Sequence, residues 1–426
     1  MMNIREAAHN MKLAAPRLAS TSIEERNAAL KNIIAALESN KDAIFAANHR
    51  DMDAAEKNNI AQAVKKRLKY DEGKLSDGIA GIEQMIELPD PLGKVSLARQ
   101  LDEGLVLRRV SVPIGVIGVI FEARPDALVQ ISALCIKSGN CAVLKGGKET
   151  TETNRILFKI IYESVVEAGL PEGCLVQAEL HNEIDELLSC DRDIDLLIPR
   201  GSNKFVRYIM ENTKIPVMGH SSGICHIYVD KDCDIDKAIP VIVDAKIQYP
   251  AACNAVETLL INREIAGISL PKIAKALSDK GVKLRGTKEV SELISCEIMD
   301  DEEFDTEYTD LVISIKIVSD VREAVEHINM YGSHHTDSIL TESKEAAEYF
   351  MNLVDSAGVY HNYSTRFSDG YRYGFGAEVG ISTGKLHARG PVGLEGLVTY
   401  KYKLAGDWQT VGDYASGIRE FHHKDL

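Results

Sequence analysis

The sequence has no apolar run long enough to cross a membrane. Its longest run, at residues 112–121 (VPIGVIGVIF), is about half the length of a membrane span and is interrupted by proline and glycine. The N-terminal segment carries scattered charges and lacks the apolar core of a secretory signal peptide. We therefore expect a cytoplasmic protein with no membrane partner.

An excess of basic charge is also missing. The chain has 64 acidic against 49 basic residues, a formal net charge of -15. Such a surface repels nucleic acid and anionic membranes, so a phosphate-bearing ligand must meet a local basic pocket instead. The eight cysteines are irregularly spaced, without a CxxC pair, and a chain of 426 residues needs no disulfides. We expect free thiols in a reducing compartment and no nucleic-acid partner.

Internal repeats and low-complexity segments are absent, and the spacing of apolar residues divides the chain instead. The first hundred residues are predicted to be helical, with Ser22 and Glu25 forming a capping box. From about residue 108, short apolar segments alternate with helical segments of about 10–15 residues, and this alternation restarts after residue 230. It favours parallel sheets covered on both faces. We predict an α/β fold of two consecutive parallel-sheet domains plus a small β element.

Several individual elements are predicted from local patterns alone. We predict one buried strand at residues 110–121, a strand at 215–220 and a helix at 271–280. The apolar run LEGLVTYKYKL at 394–404 predicts a strand that leaves the second domain.

The GxGxxG fingerprint of ordinary dinucleotide folds does not occur, and GFGAEVG at 374–380 has the wrong spacing. Two strand-to-helix junctions are better candidates for binding phosphate through backbone amides. VLKGGKETTETN contains Lys145 and Lys148, which suit an adenosine ribose or its 2′-phosphate. LIPRGSNKF places Gly201 and Ser202 at the start of a helix. Taken singly, each pattern is more often an ordinary βα turn.

One of the eight cysteines stands in a distinctive setting. Cys253 lies in QYPAACNAVETLLI, a short turn between a predicted helix and a predicted strand, with alanines on both sides. Small neighbours leave room for a substrate carbonyl beside the sulfur, and turn amides can stabilise an oxyanion. Local sequence alone leaves a catalytic nucleophile and an inert buried thiol equally open.

The histidines do not form a recognisable metal site. His334 and His335 are adjacent, so their side chains point to opposite sides of an extended chain and cannot easily share an ion. The segment 361–391 is dense in glycine, hydroxyl and arginine residues. Its length and polarity favour a binding loop, with a solvated surface loop as the alternative.

With these residues in hand, the whole chain resembles the aldehyde dehydrogenase superfamily, segment by segment and in the same order. The resemblance is carried by VPIGVIGVIFEARPD at the strand entering the active site, CAVLKGGKE at the adenosine-ribose strand, IPRGSNKF at the pyrophosphate turn, QYPAACNAVETLLI at the cysteine segment, and FDTEYTDLVISIKI followed by HTDSILTE at the segment whose glutamate holds the nicotinamide ribose.

Within that superfamily the chain is most similar to the γ-glutamyl phosphate reductases. VIFEARPDALVQISALCIKSGNCAVLKGGKE, HTDSILTE and STRFSDG…GFGAEVGISTGKLHARGP are specific to them. The resemblance implies NADPH-dependent reduction of γ-glutamyl 5-phosphate to glutamate 5-semialdehyde and phosphate, a step of proline biosynthesis. It also implies that Cys253 is the nucleophile and forms a thioester.

The resemblance implies further site residues, and none of them is a metal ligand. For NADP(H) they are Lys145, Gly147, Lys148, Gly201, Ser202 and Glu307. For the substrate, whose phosphate and carboxylate suit guanidinium groups, they are Arg124, Asn362, Ser364, Thr365, Arg366 and Asp369.

Departures from the hydrolytic members of the superfamily are informative. Their water-activating glutamate has no equivalent, since PVMGHSSG carries Met218 and His220 and no carboxylate. Ala123 stands about where their oxyanion asparagine lies, so backbone amides near Cys253 are expected to take that role. Lys148 replaces the acidic residue of many NAD-using relatives, which favours NADP(H).

The resemblance also implies how the chain is organised. We expect an NADP(H)-binding domain at residues 1–228 with a bridging segment near 95–112, a catalytic domain at 229–389, and an oligomerisation strand and tail at 390–426. A homodimer or homotetramer is expected, and a separate glutamate 5-kinase is a candidate partner. Two alternatives stay open: a hydrolytic NAD-linked semialdehyde dehydrogenase, and an inactive ligand-binding or assembly protein that keeps the fold.

Overall fold

A computed structural model describes residues 3–179, 183–220 and 222–426. The helices are α1 (Ile4–Ala19), α2 (Ile23–Ser39), α3 (Lys41–Lys57), α4 (Gln62–Leu68), α5 (Glu72–Glu87), α6 (Pro125–Lys137), α7 (Thr151–Glu167), α8 (Glu183–Leu188), α9 (Asn203–Glu211), α10 (Ile235–Ile247), α11 (Arg263–Ser278), α12 (Lys288–Ser291), α13 (Val321–Tyr331), α14 (Lys344–Leu353) and α15 (Val411–Ala415). The strands are β1 (Val95–Asp102), β2 (Leu105–Pro113), β3 (Val116–Phe121), β4 (Cys141–Gly146), β5 (Leu175–Ala178), β6 (Leu196–Arg200), β7 (Cys225–Val229), β8 (Val256–Asn262), β9 (Lys283–Gly286), β10 (Glu297–Ile298), β11 (Val312–Val318), β12 (Thr336–Leu340), β13 (Gly358–His361), β14 (Gly380–Ser382), β15 (Gly390–Val392), β16 (Val398–Ala405) and β17 (Lys424–Asp425). Among the described residues, no helix is both long enough and apolar enough to span a bilayer.

Tertiary contacts divide the chain into two compact units. The first comprises Met1–Met218, Phe375–Gly380 and Val392–Leu426, and the second comprises Gly219–Gly374 and Ile381–Pro391. The observed division lies between Met218 and Gly219, whereas the boundary expected at residues 228/229 would cut through the end of β7. Because β7 pairs with β8 and β12, it belongs wholly to the second unit. The C-terminal residues return to the first unit and do not form a separate body.

The first unit contains a parallel sheet in the order β5-β4-β3-β6. Every residue of β3 is buried, as expected for a strand covered on both faces. The predicted capping box is present at the start of α2, where Ser22 and Glu25 bond to each other's backbone N–H. The alternation of strands and helices in this half is therefore confirmed.

The prediction of a single strand at residues 110–121 is wrong, because the segment forms two strands: β2 ends at Pro113 and β3 begins at Val116. Gly115 has φ 133°, a conformation that side-chain-bearing residues rarely adopt. A Cβ there would overlap the Asp195 carboxylate, which accepts a hydrogen bond from Val116 N at 2.9 Å. The glycine lets the chain leave one sheet and enter another.

The second sheet of this unit is antiparallel, in the order β16-β2-β1-β17. The C-terminal strand begins at Val398, since Leu394–Leu397 forms a 3-10 turn instead. It pairs with β2 of its own chain from Pro113 to Val106. The strand predicted at 215–220 is reduced to one bridge, between Leu197 and Val217.

The second unit is built on a seven-stranded sheet in the order β10-β9-β11-β8-β7-β12-β13, with parallel pairing throughout. Its core packs residues of α10 and α11 against β7, β8 and β11. The helix predicted at 271–280 begins earlier, at Arg263, because Asn262 caps it by accepting from Glu264 N. Pro271 lies inside this helix and does not start it.

Candidate active site

Cys253 lies in a tight turn between α10 and β8, as the sequence predicted. The turn is held by its neighbours: the Cys225 thiol donates to Cys253 O at 3.4 Å, and Asn254 Nδ2 donates to Ser368 O at 2.7 Å. Gly223 packs directly on the turn, and a Cβ there would lie 2.5 Å from Cys253 Cα. Only glycine permits this approach.

The Cys253 thiol has a histidine beside it. His335 Nε2 lies 3.2 Å from Cys253 Sγ, and His335 Nδ1 lies 2.9 Å from Thr336 Oγ1. His335 is fully buried, so its ring is held in this orientation. The expectation that His334 and His335 point apart holds, since His334 Nδ1 contacts Asp355 O at 2.6 Å. Sequence reasoning missed that His335 faces the thiol.

Topology explains how residues 82 positions apart come to touch. Strands β8, β7 and β12 are parallel neighbours in the sheet, in that order. Cys253, Gly223 and His335 each lie just before one of these strands. Because the amino ends of parallel strands meet at the same edge of a sheet, the three residues converge. Strand prediction combined with this rule could have identified His335.

The other cysteines are poor candidates for a thiolate. Burial raises the pKa of Cys135 and of Cys174 to about 12, and that of Cys233 to about 12 as well. It also raises the pKa of the remaining four, Cys141, Cys190, Cys225 and Cys296. Among the cysteines, all of which the structure describes, Cys253 is the one with a histidine nitrogen at hydrogen-bonding distance.

A buried ion pair links the helix before the Cys253 turn to the strand after it. Lys246 Nζ, in the last turn of α10, lies 2.6 Å from Glu257 Oε2 in β8, and both side chains are fully buried. Burial lowers the pKa of Lys246 and raises that of Glu257, so each charge depends on the other. The pair joins the two elements that flank the turn, and it was not predicted from the sequence.

The structure brings one predicted substrate residue into the electrostatic environment of Cys253. Arg366 is buried, its Nε donates to Gln248 Oε1 at 2.8 Å, and its guanidinium lies 5.9 Å from the centre of the Tyr249 ring. Burial and then nearby Arg372 lower the pKa of Arg366, while the negative charge of a Cys253 thiolate opposes this. The guanidinium is thus held by residues that directly precede the Cys253 turn.

The other predicted substrate residues in the loop hold its shape to different degrees. The side-chain amide of Asn362, at φ 62°, accepts from Thr341 N through Oδ1 and donates to Thr341 O through Nδ2, each at 2.9 Å. Ser364 accepts from Arg366 N, and Asp369 accepts from the backbone N–H groups of two following residues. Thr365 Oγ1 differs, being buried with no hydrogen-bond partner among the described residues. Thr365 therefore retains a polar group to offer.

The predicted cofactor residues form a cluster at the end of β4 in the first unit. Lys145 is buried and its Nζ donates to Gly146 O at 2.7 Å, and burial lowers its pKa. A Cβ on Gly147 would overlap the Glu149 carboxylate. Glu149 accepts from Ala123 N at 2.7 Å, whereas Lys148 is exposed. The Glu149 carboxylate is therefore engaged by a backbone N–H, whereas the Lys148 side chain faces solvent.

At the second glycine-rich junction, the start of the helix contacts a carboxylate of the protein itself. Ser202 N, at the start of α9, donates to Glu122 Oε2 at 2.9 Å, and a Cβ on Gly201 would overlap that carboxylate. The carboxylate stands where a phosphate oxygen would bind a helix amino terminus. Glu122 is a residue that sequence reasoning did not include. The geometry fits a pyrophosphate that displaces Glu122.

Two predicted site residues lie apart from these clusters. Glu307 is half-buried between a 3-10 turn at Asp301–Asp305 and β11, and its charge helps to raise the pKa of Glu257 after the larger effect of burial. Arg124 directly precedes α6, with Pro125 in the first helical turn, and is half-buried. The structure thus places Glu307 close enough to Glu257, the acidic member of the buried ion pair, for their charges to interact.

Comparison with known proteins identifies the family of this chain. The model of the aldehyde dehydrogenase family matches residues 1–285. The gamma-glutamyl phosphate reductase of Acetivibrio thermocellus is 54% identical over 425 residues, covering 100% of this chain and 99% of that protein. The gamma-glutamyl phosphate reductase 1 of Synechocystis sp. is 53% identical, covering 98% and 97%.

A solved structure is similar over nearly the whole length. The crystal structure of gamma-glutamyl phosphate reductase from Thermotoga maritima has a TM-score of 0.94 at 37% identity, covering 96% of this chain and 100% of that one. The chain therefore belongs to the aldehyde dehydrogenase family, in the group whose curated members are named gamma-glutamyl phosphate reductase.

Proposed function

We propose that this chain reduces γ-glutamyl 5-phosphate to glutamate 5-semialdehyde and phosphate with NADPH, a step of proline biosynthesis. The observation that carries the proposal is the contact of Cys253 Sγ with His335 Nε2 at 3.2 Å, in a chain whose full-length relatives bear this activity in their names. A thiol beside a buried imidazole is the arrangement that activates a cysteine nucleophile.

The reaction begins with proton transfer from Cys253 to His335. The thiolate attacks the acyl carbon, the carbon–sulfur bond forms as the bond to phosphate oxygen breaks, and phosphate leaves. Bound NADPH would supply the hydride that reduces the thioester carbon. The thiohemiacetal oxygen of the substrate then reforms a carbonyl, the carbon–sulfur bond breaks, and Cys253 is released as the thiolate.

We assign stabilisation of the oxyanion to backbone amides of the turn. Ala252 N and Ala255 N bond to carbonyls within the turn, at 3.1 and 2.9 Å. The N–H groups of Cys253 and Asn254 have no acceptor among the described residues. Two such donors beside the sulfur suit the charge that develops on the substrate carbonyl oxygen. This is the role that an asparagine has in the hydrolytic relatives.

Residues of the first unit support binding of NADP(H). Lys145 with Gly147, and Gly201 with Ser202, would hold the adenosine ribose and the pyrophosphate. Glu307 belongs to the second unit and would hold the nicotinamide ribose. Exposed Lys148 suits the 2′-phosphate that distinguishes NADP from NAD, because Glu149 is bound to Ala123 N and does not compete.

For the substrate, Arg366 is the residue best supported as an anion ligand. Its guanidinium is buried and close enough to Cys253 for their charges to interact. Thr365, Ser364, Asp369 and Asn362 complete the proposed loop, the last three chiefly by fixing its backbone. Arg124 is retained as the second guanidinium.

The hydrolytic alternative lacks its general base. Among the described residues, the side chain hydrogen-bonded to Cys253 Sγ is His335, and no carboxylate shares that position. A thioester protected from activated water survives until hydride transfer. The other alternative, an inactive protein that keeps the fold, predicts no selective alkylation of Cys253 by iodoacetamide.

The free thiols and the C-terminal strand bear on location and assembly. All eight cysteines are unpaired, which suits a reducing cytoplasm. Strand β16 is the outer strand of its sheet and exposes Tyr400, Tyr402 and Leu404. We propose that it extends the sheet of a second copy, giving a homodimer or homotetramer. A glutamate 5-kinase that supplies the labile acyl phosphate remains a proposed partner.

The decisive assay runs in reverse, with pyrroline-5-carboxylate (the cyclic form of the product), phosphate and NADP or NAD, for wild type and Cys253→Ala. We expect phosphate-dependent formation of NADPH that the substitution abolishes. Turnover without phosphate, with free glutamate as the product, would show a hydrolytic dehydrogenase instead.

A further inference from the structure

Three side chains that can ligate a metal ion meet in the second unit. His220, Cys253 and His335 each offer one ligand atom, and these atoms lie within 4.8 Å of one another. The two imidazole rings meet edge to face with centroids 5.1 Å apart. Local sequence predicted no metal site, because these residues come from three separate segments of the chain.

The separations suit a small tetrahedral ion. Zinc bonds of about 2.3 Å to sulfur and about 2.0 Å to nitrogen place two ligand atoms about 3.5 Å apart. The distance from His335 Nε2 to Cys253 Sγ is 3.2 Å, close to that value. Movement of His220 by about 1 Å would complete the triangle. One thiolate and two imidazoles favour zinc over magnesium or calcium, which prefer oxygen ligands.

The outer contacts of both histidines orient them for this role. His220 Nδ1 lies 2.8 Å from Ile381 O, a carbonyl that accepts the ring N–H, so Nε2 is the nitrogen that can ligate. His335 Nδ1 contacts Thr336 Oγ1, and its Nε2 faces the sulfur. Metal-binding histidines usually donate the other ring N–H to an oxygen in this way.

We propose that His220, Cys253 and His335 form a reversible zinc site that holds the nucleophile in an unreactive form. Binding replaces the thiol proton, which passes to solvent, with a zinc–sulfur bond, and nothing is oxidised or reduced. Water fills the fourth position. The inhibitory effect rests on the proposed function, whereas metal binding does not.

The test is a titration of the metal-free full chain with Co²⁺, which reports thiolate ligation by absorption without any turnover. We expect one equivalent to produce thiolate-to-cobalt charge transfer and the strong visible bands of tetrahedral cobalt. Zn²⁺ should abolish both signals. Cys253→Ser should lack the charge-transfer band, and a wild-type spectrum without that band would overturn the proposal.

His220→Asn is the informative ligand variant, and His334→Asn is its matched control. His334 has φ 59°, which asparagine tolerates, and its ring contacts Asp355 O outside the cluster. We expect zinc affinity to fall by more than about 100-fold for His220→Asn, since loss of even an outer contact costs about 10- to 100-fold. The control should bind as wild type does.

Two further results separate the site from the activity. His220→Gln repeats the substitution in case the asparagine variant does not fold, and equal zinc affinity in a folded His220 variant would overturn the proposal. In the reverse assay, micromolar Zn²⁺ should inhibit wild type and chelation should restore it. A cobalt charge-transfer band in a chain with no turnover would support the site while contradicting the proposed function.

Discussion

The start of α9 in the first unit and the Cys253 cluster in the second are the two proposed binding sites for reactants, and they are assembled from different lengths of chain. At α9 the glycine and the N–H donor are neighbours, Gly201 and Ser202, and Glu122 alone comes from elsewhere. At Cys253 the thiol meets His335 and Gly223, which lie in other segments. The first site is a local sequence motif. The second exists because the order of strands in the sheet brings distant segments together.

The two sites also differ in burial: the local site is exposed, and the site made by distant segments is buried. Gly201, Ser202 and Lys148 are exposed, so an incoming phosphate can displace water from them. Lys246, Glu257 and His335 are fully buried, and their polar contacts are made with other groups of the protein. Substitutions at the exposed site should therefore change binding alone, whereas those at the buried site should change catalysis and stability.

The largest effect is expected for His335→Asn. Loss of the group that accepts the thiol proton should lower kcat by about 10²- to 10⁴-fold, the usual contribution of general acid–base catalysis. The variant should also alkylate more slowly at Cys253 near neutral pH. The adjacent His334→Asn serves as the control and should keep its kcat. A normal kcat for His335→Asn would remove the histidine from the mechanism.

Breaking the buried ion pair should have the next largest effect. Lys246→Met leaves Glu257 unpaired in the interior, so the free energy of unfolding should fall by about 3–5 kcal/mol. The matched control is Lys275→Met, which breaks the exposed contact of Lys275 with Asp279 at 2.7 Å and should cost less than about 1 kcal/mol. Chemical unfolding followed by circular dichroism measures both. Equal losses would show that the pair does not brace the Cys253 turn.

The smallest effect is expected at the exposed cofactor cluster. Lys148→Ala should raise the KM for NADPH by about tenfold, because a charge-assisted hydrogen bond to phosphate contributes about 1.5–3 kcal/mol. The KM for NADH and the kcat should stay unchanged. Lys159→Ala, an exposed lysine on α7 whose ion-pair distance to Glu163 is 3.9 Å, is the control. A rise in both KM values would place Lys148 in general cofactor binding and not in selection of the 2′-phosphate.

Sequence by itself predicted most of the fold and identified Cys253 as the candidate nucleophile. Local rules sufficed for the capping box at Ser22 and the turn at Cys253, because those features depend on residues within a few positions of one another. The glycine-bearing junctions at Lys145 and Gly201 are local in the same sense. The family resemblance then assigned them roles that the residues alone left open.

Tertiary structure decided what surrounds the thiol. His335 faces Cys253 because β8, β7 and β12 lie side by side in parallel, an order that no local pattern encodes. Gly223 is required because another segment's backbone passes within 2.5 Å of where its Cβ would be. Glu257, buried beside Lys246, opposes the lowering of the Lys246 pKa by burial. Each depends on contacts between residues distant in sequence, and those contacts exist only once the sheet has formed.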